Sequence, residues 1–268
     1  MKFALVNGQH QEAQPNLSGK CPACGHPMVA KCGERRIRIW HWAHKSRRHC
    51  DPWWENETEW HRAWKEQFPV HWQEVVHEAE NGEKHIADVK TDHGWVIEFQ
   101  HSYLKPEERR SRDAFYPKLV WVVDGTRRKR DRKQFVNALE EGMQVGPNPF
   151  SRRIRRPSVD KCVLLREWIE SPAPIFLDFG EKVLFWLIYK SPNGPVYVAP
   201  YSRNDFIEIH RGGPSQKAHE FEEFVKDSNE LYANYESHLL AKLNQARAQP
   251  LKGFQQYISR RSKHRRRF

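Results

Sequence analysis

No run of about 18 apolar residues occurs in this chain, so no membrane-spanning helix is expected. Its first residues, "MKFALVNGQH", hold only four apolar residues in a row, Phe3 to Val6. That is too short for the apolar region of a secretory leader, and a cytoplasmic location is expected. Cysteine is scarce, five in 268 residues. In a reducing compartment those five are read as metal ligands or buried thiols, not as disulfides. Internal repeats are absent, which argues against solenoid and propeller arrays. Acidic charge is in the minority: 34 Asp and Glu face 45 Lys and Arg, a formal +11. Such a balance favours a polyanionic partner, nucleic acid first.

What is present is clustered. Eleven Trp and 15 His are high counts for this length, and the Trp content implies a real core. Basic residues gather in "RRKRDRK" (127–133), "RRIRR" (152–156) and "RRSKHRRRF" (260–268). Clusters of this kind point to a binding stripe or tail, so Arg127, Arg128, Lys129, Arg130, Arg265, Arg266 and Arg267 are candidate nucleic-acid contacts. The last nine residues are expected to stay disordered without a partner.

Three regions follow from composition. Residues 1–54 are short, polar and rich in Cys, His and Trp. Residues 55–145 read as helix, three strands, helix and strand, then a further helix, "DRKQFVNALEEG". "GPNPFS" (146–151) looks like a linker. Residues 150–268 read as a third region, strand-like in patches and ending in a long helix over 217–247 and a basic tail. The class expected is mixed α/β (α+β).

Cys21-Pro-Ala-Cys24 followed by Gly25 is a knuckle whose thiolates can reach one tetrahedral zinc ion. Its remaining ligands are sought among Cys32, His41, His44 and Cys50, with His41 or His44 and Cys50 preferred. Two His at i, i+3 in a short turn can converge on one metal, or one can bind while the other meets a neighbour. A four-ligand zinc site of this kind is structural, because it leaves no position for chemistry.

The stretch "HIADVKTDHGWVIEFQHS" (85–102) raises the second expectation. Ile86, Asp88 and Lys90 share one face of a strand. After a Gly turn, Val96, Glu98 and Gln100 share one face of the next, which brings Asp88 near Glu98. Two hard carboxylate ligands can hold a Mg²⁺ or Mn²⁺ ion that activates a water against a phosphodiester. Gln100 points the same way and is placed to orient that water. In the preceding "ENETEWHRAWKEQF", Trp60, Trp64 and Phe68 form an apolar stripe, with Glu57, His61 and Lys65 as a polar stripe beside it.

Taken in order, "CPAC" (21–24), "HWAH" (41–44), "ETEWHRAWK" (57–65), "ADV" (87–89), "IEFQHS" (97–102) and Arg112 with Tyr116 before "LVWVVDG" resemble the CoiA family of competence proteins. That family's nuclease-like domain belongs to the PD-(D/E)xK superfamily, and the resemblance covers residues 15–130. It implies a restriction-endonuclease-like core with a zinc-ribbon-like N-terminal module, and a role in DNA processing during uptake and recombination. Carried over by position, Asp88 and Glu98 are the metal ligands. Glu57 is the acid of the first helix, either a ligand or a carboxylate behind the ligands. Gln100 stands where the superfamily more often has Lys, so His61, Lys65 or His101 is expected to supply the missing donor. Recombination or defence proteins are expected partners beside DNA.

Two other readings compete: a DNA-binding protein that keeps the fold without catalysis, and an RNA-binding or RNA-processing zinc protein. Beyond residue 150 no chemistry is legible. "VLFWLIY" reads as a buried strand, Cys162 as a core thiol and His210 as a surface or turn residue. Tyr197, Tyr201 and Phe206 fit either a base-stacking face or the core of a small β domain.

Overall fold

The computed structural model describes residues 1–33, 39–45, 50–53, 55, 57–145, 153–191, 194–211 and 217–248. Among them the fold is mixed α/β: two sheets and six α-helices. No helix among these residues is long and apolar enough to cross a membrane.

The first sheet comes from the N-terminal residues. Strands β1 (Phe3–Val6), β2 (Gln9–Glu12), β3 (Ser18–Lys20), β4 (Pro27–Lys31) and β5 (His41–His44) pair in the order β2-β1-β3-β4-β5. Asn7 and Gly8 both adopt positive φ, 53° and 82°, between paired Val6 and Gln9. Asn-Gly suits a two-residue hairpin turn whose twist matches its strands. Met28 and Trp42 close a small core over this sheet.

The second sheet has nine strands. Helix α1 (Glu59–Lys65) precedes β6 (Gln73–Glu78), β7 (Lys84–Lys90) and β8 (Val96–Gln100). Helix α2 (Pro106–Phe115) then crosses to β9 (Leu119–Asp124), and α3 (Asp131–Glu140) leads to β10 (Met143–Gln144) and β11 (Arg155–Arg156). After α4 (Val163–Trp168) come β12 (Ile175–Asp178), β13 (Val183–Lys190), β14 (Val196–Ser202), α5 (Arg203–Arg211) and α6 (Lys217–Ala248). The order is β10-β11-β14-β13-β12-β9-β8-β7-β6, with β8, β9 and β12 parallel and the rest antiparallel. β8, β9 and β12 are buried along their whole length, as strands covered on both faces must be. One face packs under α1, α5 and α6 through Trp64, Phe206 and Phe221; the other packs under α3 and α4 through Phe135, Leu165 and Trp168.

This topology corrects the expected division near residue 150. The strand run of residues 175–202 does not form a sheet of its own. β12 pairs in parallel with β9 over Ile175–Asp178, and β10 pairs with β11 across the boundary. The expected linker "GPNPFS" lies outside the described residues, as does the basic tail. The expected order of helix, three strands, helix and strand over residues 59–124 is present, as is the long last helix.

His210 is not a surface residue. It is buried near the end of α5 against Phe206 and Phe221. Its Nδ1 lies 2.7 Å from Phe206 O, and burial pushes its pKa down to about 4. Tyr197 and Phe206 belong to the core, and Cys162 is a buried thiol.

Candidate functional site

Four expected ligands meet in one place. Cys21 and Cys24 lie between β3 and β4, His44 ends β5, and Cys50 follows. Their ligand atoms all lie within 4.8 Å of one another. Cys21 Sγ is 3.6 Å from Cys50 Sγ, and Cys24 Sγ is 3.4 Å from His44 Nε2. Gly25 at φ 70° closes the knuckle, donating its N–H to Cys21 O at 2.9 Å. A Cys₃His set of this geometry can hold a tetrahedral zinc ion. Burial raises the Cys21 and Cys50 thiols above their usual range, and the neighbouring Cys21 raises Cys50 further. Three thiolates so close together need a cation between them.

His41 does not belong to this set. The sequence reading treated "HWAH" as a short turn, but it forms β5. Residues three apart on a strand face opposite sides, so His44 reaches the cluster and His41 does not; its Nδ1 lies 2.9 Å from Ile39 O. Cys32 also falls outside the four.

The hairpin acids meet as their alternation requires. β7 and β8 pair at Val89 with Ile97 and at Lys90 with Val96. Side chains replace the ladder at the next position. Asp88 N–H donates to Glu98 Oε1 at 3.3 Å, and Phe99 N–H donates to Asp88 Oδ2 at 3.0 Å. A cavity of about 70 Å³ lies here, lined by Asp88, Glu98 and Phe99 among others. Arg112 of α2 donates from Nη1 to Glu98 Oε2 at 3.0 Å. Burial, and then the Asp88 charge, push the Glu98 carboxyl up to about 8 despite Arg112. Burial likewise raises Asp88.

Helix α1 supplies the cation. Thr58 caps the helix in a reciprocal bond with His61. One turn on, Lys65 is buried, with Nζ 2.7 Å from Glu57 Oε1, 2.8 Å from Glu74 Oε1 and 4.0 Å from Asp88 Oδ1. Burial opposes the Lys65 charge, but Glu74, Glu57 and Asp88 outweigh it and hold the ammonium above its ordinary range. Glu74, the second residue of β6, reaches the cavity from a left-handed backbone conformation, φ 50°. That conformation is costly for a non-glycine residue and marks a site over-determined by its surroundings. Here Glu74 accepts the N–H groups of Lys2 and Phe3 at 2.7 and 3.0 Å. Burial pushes its carboxyl up, but Lys65 and these donors prevail and hold it at about 2.

Thr58 N–H donates to His61 Nδ1 at 3.3 Å, which leaves the ring proton on Nε2, 3.8 Å from Glu55 Oε2. Gln100 is not turned toward the hairpin acids: its Nε2 donates to Glu55 Oε2 at 2.7 Å, and Ser102 N–H donates to Glu55 Oε1 at 2.6 Å. His101 Nδ1 lies 2.7 Å from Asp124 Oδ2 at the end of β9, with its ring 5.8 Å from that of His61.

The first basic cluster is divided. Arg127 is largely buried, donating to Ser102 O at 2.7 Å and pairing with Glu167. Arg128 pairs with Asp131 at 2.9 Å and with Glu167 at 2.8 Å. Both are occupied within the fold, so of the four expected nucleic-acid contacts in this cluster Lys129 and Arg130 are the exposed ones. Arg265, Arg266 and Arg267 lie outside the described residues.

The sequence reading did not single out Asp51, Glu55 or Glu74, which line the cavity beside Glu57, Asp88 and Glu98. These six carboxylates face Lys65 and Arg112, an acidic balance that favours a bound cation over an anion. No family model matches the chain, and no curated protein or solved structure matches it.

Proposed function

We propose that this chain is a metal-dependent DNA nuclease of the CoiA-like, PD-(D/E)xK type, hydrolysing phosphodiester bonds in DNA uptake, recombination or defence. One observation carries the reading: part-buried Asp88 and buried Glu98 line one cavity, each carboxyl accepting a backbone N–H from the other strand and each shifted toward the protonated form. Buried acids in that condition are relieved by a proton or by a divalent cation, and hard oxygen donors suit Mg²⁺ or Mn²⁺. Asp88 and Glu98 are the residues that would hold the ion. A bound divalent ion would polarise the phosphate and lower the pKa of a water molecule beside it.

The chain's own groups complete the chemistry. Lys65, 4.0 Å from Asp88 Oδ1, supplies the positive charge that Gln100 lacks. His61, with its single ring proton on Nε2, would donate a hydrogen bond to the phosphate, and the leaving oxygen would take its proton from solvent water. Glu55 holds Gln100 and Ser102, which fixes the end of β8.

The test is cleavage of labelled single-stranded, double-stranded and branched DNA with Mg²⁺, Mn²⁺ or EDTA. Asp88→Ala is expected to lose about 100-fold or more of a metal-dependent activity, since metal stabilisation is worth several kcal/mol. A second reading, DNA binding without cleavage, has its own support: Arg112 already neutralises Glu98, and the Gln100 amide is committed to Glu55. Intact DNA in every lane, with equal binding by wild type and Asp88→Ala, selects that reading.

A further inference from the structure

The Cys₃His cluster and the acidic cavity are joined by a few residues of chain. Cys50 is one of the four ligands, and Asp51, Trp53, Glu55 and Glu57 after it all line the cavity. Pro52 and Trp53 form a turn in which Trp53 N–H donates to Asp51 Oδ1 at 2.9 Å, which brings the Asp51 and Trp53 side chains to the cavity. The described residues of this segment lie outside every helix and strand.

Each inward residue holds a different part of the cavity. Asp51 accepts from Ile86 N–H at 2.9 Å, and its other oxygen is 2.9 Å from His85 Nδ1, so it fixes the middle of β7 two residues before Asp88. Trp53 stacks on His85, with rings 10° from parallel, and its carbonyl accepts from Arg112 Nη2 at 2.6 Å. Arg112 is the residue that binds Glu98. Glu55 accepts from Gln100 and Ser102 at the end of β8. Glu57 meets Lys65 Nζ at 2.7 Å and Arg62 Nη2 at 3.0 Å.

We propose that zinc bound at Cys21, Cys24, His44 and Cys50 anchors residues 50–53, 55 and 57 against the acidic cavity, with Asp51, Trp53 and Glu55 as positioning residues. The inference rests on the acidic cavity being the functional site. A segment with no ladder of its own keeps its place through its ends and side chains, and ordering it costs backbone entropy at every residue. Cys50 is its upstream tie. Metal bound there lends its binding free energy to that order. Zinc thus acts at a distance from the chemistry, through Arg112 and Glu55 rather than by contact with the Asp88–Glu98 pair.

The experiment is amide hydrogen exchange on the full chain, zinc-loaded and after zinc removal by a chelator, with zinc content measured in both. Zinc removal is expected to speed exchange at Ile86 and Ser102 by about tenfold or more while Trp186 and Val198 in β13 and β14 keep their protection. Cys50→Ser should do the same. Glu55→Gln should speed exchange at Ser102 with its zinc retained. Unchanged exchange at Ile86 and Ser102 without zinc overturns the proposal. So does an equal rise across the whole sheet, or a chain that takes up no zinc. Failure of the nuclease reading shows separately, as DNA left intact by a zinc-loaded chain whose exchange still responds to zinc.

Discussion

Glu98 and Glu74 are both buried acids, and their neighbours drive them in opposite directions. Burial and then Asp88 push Glu98 up to about 8; at Glu74 burial acts the same way, but Lys65, the N-terminal ammonium and the Lys2 N–H outweigh it and hold the carboxyl at about 2. A divalent ion must therefore displace a proton from Glu98 below about pH 8. Mn²⁺ affinity, followed by calorimetry, is expected to rise by up to about tenfold per pH unit from pH 6 to 8 and then level off. An affinity flat across that window would remove Glu98 from the ligand set. Stability follows the same signs. In the metal-free chain the Glu98 contribution is present at low pH and is lost as pH rises through about 8. Glu74 contributes above the usual carboxylate range and is lost as pH falls toward 2.

At the scale of elements, α1 ties the cavity to the centre of the large sheet. Its indoles Trp60 and Trp64 donate to one carboxylate, Asp178 Oδ2 at the end of β12, at 3.0 and 2.8 Å. On its other side Lys65 lies between Glu57 and Glu74. Lys65→Met keeps the helix and most of the volume but leaves buried Glu74 without its lysine and Glu57 with Arg62 alone. A loss of about 3–5 kcal/mol is expected in urea unfolding, the cost of breaking a buried pair on one side; a loss under about 1 kcal/mol would mean that Glu57 and Glu74 find other partners or take up protons. The stripe of Trp60, Trp64 and Phe68 was legible from its spacing, and so was the meeting of Asp88 and Glu98, because strand alternation is local. Glu74 was not, since it enters the cavity only through a left-handed backbone that no side-chain pattern announces. Glu55 and Asp51 sit in a segment with no helix or strand pattern to orient them. His41 and His44 could be told apart only once "HWAH" was known to be a strand. Asp178 is the extreme case: its partners on α1 lie more than a hundred residues away in sequence.

The molecule as a whole is organised by β9. It sits between β8 and β12, parallel to both, and all six of its residues are buried. The sequence reading placed a boundary near 150 because composition changes there, but composition carries no trace of a strand pairing made fifty residues later. A fragment ending at residue 145 keeps every residue named in the chemistry and loses β12, β13 and β14. "LVWVVD" then becomes an open edge, apolar on both faces and lined with unpaired N–H and C=O groups. Such an edge templates other chains of its own kind. The fragment is expected to be aggregated by size-exclusion chromatography, whereas a monodisperse, folded fragment would show that β9 does not need its partner. What looks from the sequence like a separate third region is, in the fold, the cover over the open side of β9.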